Sequence, residues 1–263
     1  MPMLAEAIAR IAAAAQKSDL QVDRILDVGS GPGVAAIALA AAFPGAMAVA
    51  VDASAPLLEL VHDRAVAHGV GERVYTEVAD LEQPLEMLGA ADVVWASMVL
   101  HHVASPADTL RQLRSVLRPG GLLAIVEFGA GALGALPAGF DVDNDGFVGR
   151  HSDALLAAVA DHLPPGAMVL DWLSLLADTG FELVDQGEFE MHLPAPLTAT
   201  QRRYVLQGLQ MSQRMMDERL DAGDLATLAG LAGLVSEDDP RCVLNRDDLT
   251  IDVRRRFFLA RRG

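Results

Sequence analysis

A chain of 263 residues, 52% of them hydrophobic, with 36 acidic against 20 basic side chains and a formal charge of −16, has apolar material for one sizeable packed domain and lacks the composition of a disordered protein. The acidic excess argues against nucleic acid or an anionic membrane surface as partner, since both need clustered Lys and Arg. The one cysteine, Cys242, excludes an intramolecular disulfide and a thiolate metal cage, and suits a reducing cytoplasm.

Met1 to Ala15 is apolar but carries Glu6 and Arg10 and has no basic lead-in, so it reads as an amphipathic helix rather than a secretory leader. From residue 22 to about 128, short β-branched runs alternate with helical patterns, the rhythm of parallel βα units. The candidate strands are Arg24–Val28, Ala46–Val51, Val74–Val78, Asp92–Ala96 and Leu122–Glu127. All but the third are nearly continuous apolar runs, as in a sheet covered on both faces. Val34 to Val51 approaches the length of a membrane span, but Pro44-Gly45 breaks it and Asp27 and Asp52 bracket it, which makes it a buried helix followed by a buried strand. Ser105-Pro106 supplies an N-cap and a first-turn proline, Leu110, Leu113 and Leu117 share one face, and Pro119-Gly120-Gly121 ends the segment.

After Glu127 the rhythm breaks. Residues 129–139 are rich in Gly and Ala, a helix is expected over Met168–Asp178, and a strand over Phe181–Phe189. Pro194 to about Asp248 is a mainly helical interruption bearing Met211, Met215 and Met216, and Thr250–Ala260 reads as a strand nearer the sheet edge. The expected organisation is one domain over residues 1–263: a cofactor-binding core at 20–128, with helical insertions at 129–165 and 194–248 forming a substrate lid.

The densest signal is the run from Ile25 to Ala36, where a buried strand enters Gly29-Ser30-Gly31-Pro32-Gly33 and then an Ala-rich helix. Such a loop lets backbone amides at a helix N-terminus approach a ligand that side chains would exclude. The dinucleotide fingerprint wants its third glycine five positions after the first, and that position is Val34. A phosphate-gripping loop is excluded because no Gly-Lys-Ser or Gly-Lys-Thr follows.

Leu26 to Gly33 resembles the first motif of the class I S-adenosylmethionine-dependent methyltransferases, and the likeness continues in order along residues 22–128. Asp52 with Ala53 matches the acidic turn that takes both ribose hydroxyls, and Asp80 with Leu81 the pair beside the adenine. Asp92 to His102 matches the fourth-strand motif, whose end at Ser97-Met98 lines the cofactor, and Leu117 to Gly121 the turn before the fifth strand. The resemblance implies a Rossmann-like, doubly wound α/β sheet of order 3-2-1-4-5-7-6 with the seventh strand antiparallel. It implies S-adenosylmethionine as cofactor, leaving S-adenosylhomocysteine, with Asp27, Gly29, Ser30, Gly31 and Gly33 at its methionine end. The expected activity is methyl transfer to a small molecule, oxygen preferred, without a metal.

His101 and His102 follow the fourth strand and are the candidate general bases. Adjacent side chains of an extended segment face opposite ways, so at most one would enter the site. Glu127 reads as structural, and His151 and His192 as surface residues. Asp141 to Gly146 imitates the first half of a calcium loop, but Ser152 stands where the bidentate Glu should be, and the segment reads as a solvated turn. Arg202-Arg203 reads as a solvated helix start. Two rivals remain open: a nicotinamide oxidoreductase, which also places an acid after its second strand, and a methyltransferase-like protein that binds the cofactor without methyl transfer.

Overall fold

The computed structural model describes residues 2–129, 146–167, 170–216 and 218–263. Its elements, in chain order, are α1 (Pro2–Lys17), β1 (Arg24–Val28), α2 (Val34–Ala42), β2 (Met47–Asp52), α3 (Ala55–Ala67), β3 (Val74–Val78), β4 (Ala91–Ser97), α4 (Pro106–Val116), β5 (Leu117–Phe128), α5 (Phe147–His162), α6 (Trp172–Asp178), β6 (Phe181–Leu193), α7 (Ala199–Met216), α8 (Ala222–Leu231) and β7 (Ile251–Arg262). The seven strands form one sheet of order β3-β2-β1-β4-β5-β7-β6. Strands β1 to β5 run parallel, and β7 pairs antiparallel with β5 from Leu122 opposite Arg261 to Phe128 opposite Arg255. The expected order and the antiparallel last strand are therefore the observed ones.

Two apolar layers sandwich the sheet. One joins α1, α2 and α3 to the Ile25, Val93 and Trp95 face; the other joins α4 and α6 to the Leu26, Val94 and Ile125 face. The alternation within each strand explains the nearly continuous apolar runs. Helix α4 starts as its sequence dictates, with the Ser105 hydroxyl accepting from the Asp108 N–H at 3.3 Å and Pro106 in the first turn.

The fifth strand differs from expectation. It starts at Leu117 and carries Pro119-Gly120-Gly121 inside it, whereas those residues read as a terminator. The pairing with β4 shifts register between Ala91 and Val93, and Arg118 Nη1 reaches Asp92 Oδ1 at 2.5 Å. The other Asp92 oxygen accepts the backbone N–H groups of Asp23 and Arg24. This buried carboxylate ties the starts of β1, β4 and β5 together, and the irregular residues stay in the ladder.

The chain divides into two compact units. The first holds residues up to Gly129, Gly166–Phe189 and Arg255–Gly263; the second holds, among described residues, 146–165 and Glu190–Arg254. The two expected insertions thus share one core of their own, in which Phe147, Leu155, Leu206, Leu209, Met216 and Leu228 are buried. Its His151 is fully buried, which overturns the surface reading of that residue: α5 turns it onto the inner face beside Phe147, with their rings 5.8 Å apart. His192 is exposed and shares a 2.7 Å contact with Asp252. Arg202 is engaged with the Arg246 carbonyl and the Asp247 carboxylate. Residues 141–145 of the calcium-like segment lie outside the described residues.

Candidate active site

Between β1 and α2 the backbone turns through Gly29, Gly31 and Gly33 at φ of 66°, 52° and 75°, a region L side chains rarely adopt. At Gly29 a Cβ would lie 2.3 Å from Val99 Cγ2, so the loop meets the segment after β4 only because it has no side chain. The loop is braced from β2. Ser30 donates its N–H to the Val51 carbonyl (3.0 Å), Gly31 to Asp52 Oδ2 (2.8 Å), and Gly33 to the Ser30 carbonyl (3.0 Å).

Two cavities meet at Gly29. The first, about 210 Å³, is lined by Asp52, Ala53, Asp80, Leu81, Val99 and His102 among others. Asp52 is oriented by its bond to Gly31 and by the Ser54 N–H on Oδ1 at 2.8 Å, and Asp80 Oδ1 accepts the Glu82 N–H at 2.9 Å. A carboxylate offers about four acceptor positions, so Asp52 keeps capacity for a pair of ligand hydroxyls.

The second cavity, about 260 Å³, takes Asp27, Ser30, Trp95, Ser97, Met98 and Arg255 into its wall, with apolar side chains that include Met3 and Leu4 of α1. Asp27 is buried, and its Oδ2 accepts the Ala36 N–H at 2.8 Å. Burial pushes its carboxyl up to about 7, opposed by that hydrogen bond and reinforced by the charge of Asp52. Met98 is held at φ 56°, an uncommon conformation for a residue with a side chain, and its N–H donates to the Val126 carbonyl at 2.8 Å.

The two histidines part company. His101 is buried, with Nδ1 2.5 Å from Glu127 Oε2, while Glu127 Oε1 accepts the Leu100 N–H at 3.0 Å. His101 lines neither cavity. His102 is exposed along the first cavity, its ring centroid 4.2 Å from that of His101. Partial burial and the neighbouring His101 hold its pKa below the usual imidazole value, with Glu127 opposing.

Of the residues expected at the cofactor, Asp27, Gly29, Ser30, Asp52, Ala53, Asp80, Leu81, Ser97 and Met98 border one cavity or the other. Gly31 and Gly33 shape the loop without lining either. Sequence reasoning missed Trp95, Arg255 and the contribution of α1. Trp95 could have been found from strand alternation, since it sits in register beside Asp27. Arg255 carried no local signal. Among the described residues no group of three or more His, Cys, Asp or Glu gathers as a metal site, and no helix is long and apolar enough to cross a membrane.

The methyltransferase-domain family matches residues 26–125, the stretch that builds β1 to β5, the glycine loop and both acidic turns. That match covers less than half of the chain. The chain is 39% identical over 121 residues to the 27-O-demethylrifamycin SV methyltransferase of Amycolatopsis mediterranei (strain S699), which covers 46% of this chain and 43% of that enzyme. It is 34% identical over 113 residues to the tRNA 5-carboxymethoxyuridine methyltransferase of Escherichia coli (strain K12), covering 42% of each. The chain thus spans less than half the length of these curated relatives. Over nearly its whole length it shares the fold of a Bacillus halodurans C-125 protein, at 18% identity, with 97% of this chain and 99% of that chain covered and a TM-score of 0.56.

Proposed function

We propose that this protein transfers the methyl group of S-adenosylmethionine to a small-molecule acceptor, with oxygen the preferred target. The reading rests on one observation: two cavities that share Gly29 in their walls, one with a pair of carboxylates at Asp52 and Asp80, the other with the buried acid Asp27. A nucleoside with vicinal hydroxyls and a cationic amino-acid tail has polar groups to match both. The cofactor supplies, when bound, a methyl group already activated on a sulfonium.

The chain's own residues then have limited chemistry to perform. Asp52 accepts the ribose hydroxyls, Leu81 packs beside the base with Asp80 at its amino edge, and Asp27 faces the positive tail. Holding reactants in line can supply several kcal/mol of the barrier, roughly 7–11 where alignment is good, and no step in this scheme uses a metal. Where the acceptor is a hydroxyl, His102 takes its proton: the lowered pKa leaves the ring neutral at neutral pH, and among the described residues no hydrogen bond occupies its side chain. His101 and Glu127 are positioning residues that fix the segment carrying it. The charge of −16 supports a small acceptor over RNA, and the single cysteine supports a cytoplasmic setting.

Calorimetry with S-adenosylhomocysteine and NAD, followed by mass spectrometry of hydroxyl-bearing, amine-bearing and tRNA acceptors, tests the reading. Binding of S-adenosylhomocysteine alone and a methylated hydroxyl are expected. Binding of NAD alone would overturn the cofactor, and methylation of tRNA alone the acceptor class.

A further inference from the structure

We infer that Glu82 is a positioning residue of the first cavity, a latch across its rim that sets how fast S-adenosylmethionine enters and leaves; this rests on the proposed use of that cofactor. The cavity is walled on one side by the stretch after β3, with Asp80, Leu81 and Glu82, and on the other by the stretch after β4, with Val99, His102 and Val103. Strands β3 and β4 are separated in the sheet by β2 and β1, so no ladder hydrogen bond ties these two stretches together. Glu82 does: its Oε1 accepts the Ala104 N–H at 2.7 Å. Among the described residues no other hydrogen bond joins residues 79–83 to residues 98–104.

The residue before each partner forms the apolar wall. Leu81 is 7% exposed and Val103 5%, both line the cavity and both belong to the same apolar layer. Glu82 and Ala104 are themselves exposed, so the bond between them opens without stranding a buried polar group. The Glu82 N–H donates to Asp80 Oδ1 at 2.9 Å, which puts the acid at the amino edge of the base and the latch in one turn. On the far side Ala104 precedes Ser105, the N-cap of α4, and a carboxylate is favoured beside a helix start. A base seated beside Leu81 leaves when the two stretches part, and a carboxylate bonded to a backbone N–H is the stronger kind of hydrogen bond to hold them together.

Stopped-flow binding of S-adenosylhomocysteine to the full chain, followed by the fluorescence of Trp95 in the wall of the second cavity and paired with titration calorimetry, tests the assignment. A latch slows passage in both directions, so in Glu82→Ala the association and dissociation rate constants should both rise, by about three- to tenfold, while Kd moves by less than about threefold. Glu82→Gln keeps an oxygen for the Ala104 N–H and should fall between the parent and Glu82→Ala. Rate constants taken from their dependence on ligand concentration do not vary with the folded fraction, so a merely destabilised variant leaves them unchanged. Faster dissociation with unchanged association would make Glu82 a direct contact of the cofactor, and slower association would make the bond a brace that preforms the cavity. Either result, unchanged rates, or a Gln variant as fast as the Ala variant would overturn the assignment. A parent that binds no S-adenosylhomocysteine would overturn the cofactor reading and the latch with it.

Discussion

At the scale of single residues, burial sets the chemistry of Asp27 and His102 in opposite directions. The Asp27 carboxyl titrates near 7 in the folded chain against an ordinary 3.8, so between those values the folded state holds a proton that the unfolded state has released. Stability from this group is fully present below about pH 4 and declines as pH rises to 7, by on the order of 4 kcal/mol. Asp27→Asn keeps an acceptor for the Ala36 N–H. By scanning calorimetry it should raise Tm over the parent at about pH 8 and leave it nearly unchanged at about pH 4; equal shifts at both would contradict the buried acid. For His102, a pKa below the usual imidazole value keeps the base form available into mild acid, so the acid limb of the methylation rate should fall below about pH 6.5. His102→Gln should lower kcat by about 100-fold and abolish that limb while S-adenosylhomocysteine affinity stays within threefold. Unchanged kcat would exclude the base role. Asp27, Asp52 and Asp80 were legible because each stands at or just beyond the C-terminal end of a strand in the βα pattern, and such strand ends converge on one edge of a parallel sheet. Arg255 was not, because its neighbours in sequence are two more arginines and only its pairing partner distinguishes it.

At the scale of elements, the boundaries that local chemistry controls are the ones the sequence shows. Ser105 and Pro106 mark the start of α4, and the observed helix begins there. Gly33 does more than end a turn: it sits at φ 75° as the N-cap of α2, and a Cβ there would lie 2.8 Å from both Val61 methyl carbons of α3. Gly33→Ala therefore combines an unfavourable backbone with a steric clash, and urea denaturation should show a loss of about 2–3 kcal/mol; a loss under 0.5 kcal/mol would mean the two helices yield easily. The Pro119-Gly120-Gly121 stretch misled sequence reasoning for an identifiable reason. Proline and glycine punctuate elements on average, but here the Arg118–Asp92 pair and the register shift opposite Ala91 and Val93 hold the irregular backbone in the sheet. Such long-range anchoring leaves no mark in a local window.

At the scale of the whole molecule, the two interruptions of the strand rhythm contribute to a single helical unit with its own core, and one of its buried groups makes it sensitive to acid. His151 has no exposed surface, its Nδ1 has no hydrogen-bond partner among the described residues, and burial lowers its pKa to about 4 against the raising effect of Asp224. A base whose folded pKa is depressed contributes full stability above its unfolded value near 6.5 and loses it as pH falls toward 4, here on the order of 2 kcal/mol. Hydrogen exchange should show α5 and α7 opening more readily at about pH 5 than at pH 7, beyond the intrinsic chemical rate, with the core strands unaffected. His151→Leu should remove the difference; persistence of the difference in that variant would place the sensitivity elsewhere. The sequence by itself determined the sheet of parallel βα units, the glycine loop and the three acids at strand ends, because strand burial, turn chemistry and helix caps are set by residues a few positions apart. Only the tertiary structure decided that His101 is fixed on Glu127 while His102 borders a cavity, that the insertions share one core with His151 inside it, and that Arg255 reaches the wall beside Asp27. Those placements depend on strand register and helix packing between residues far apart in the chain, and such contacts have no period in the sequence.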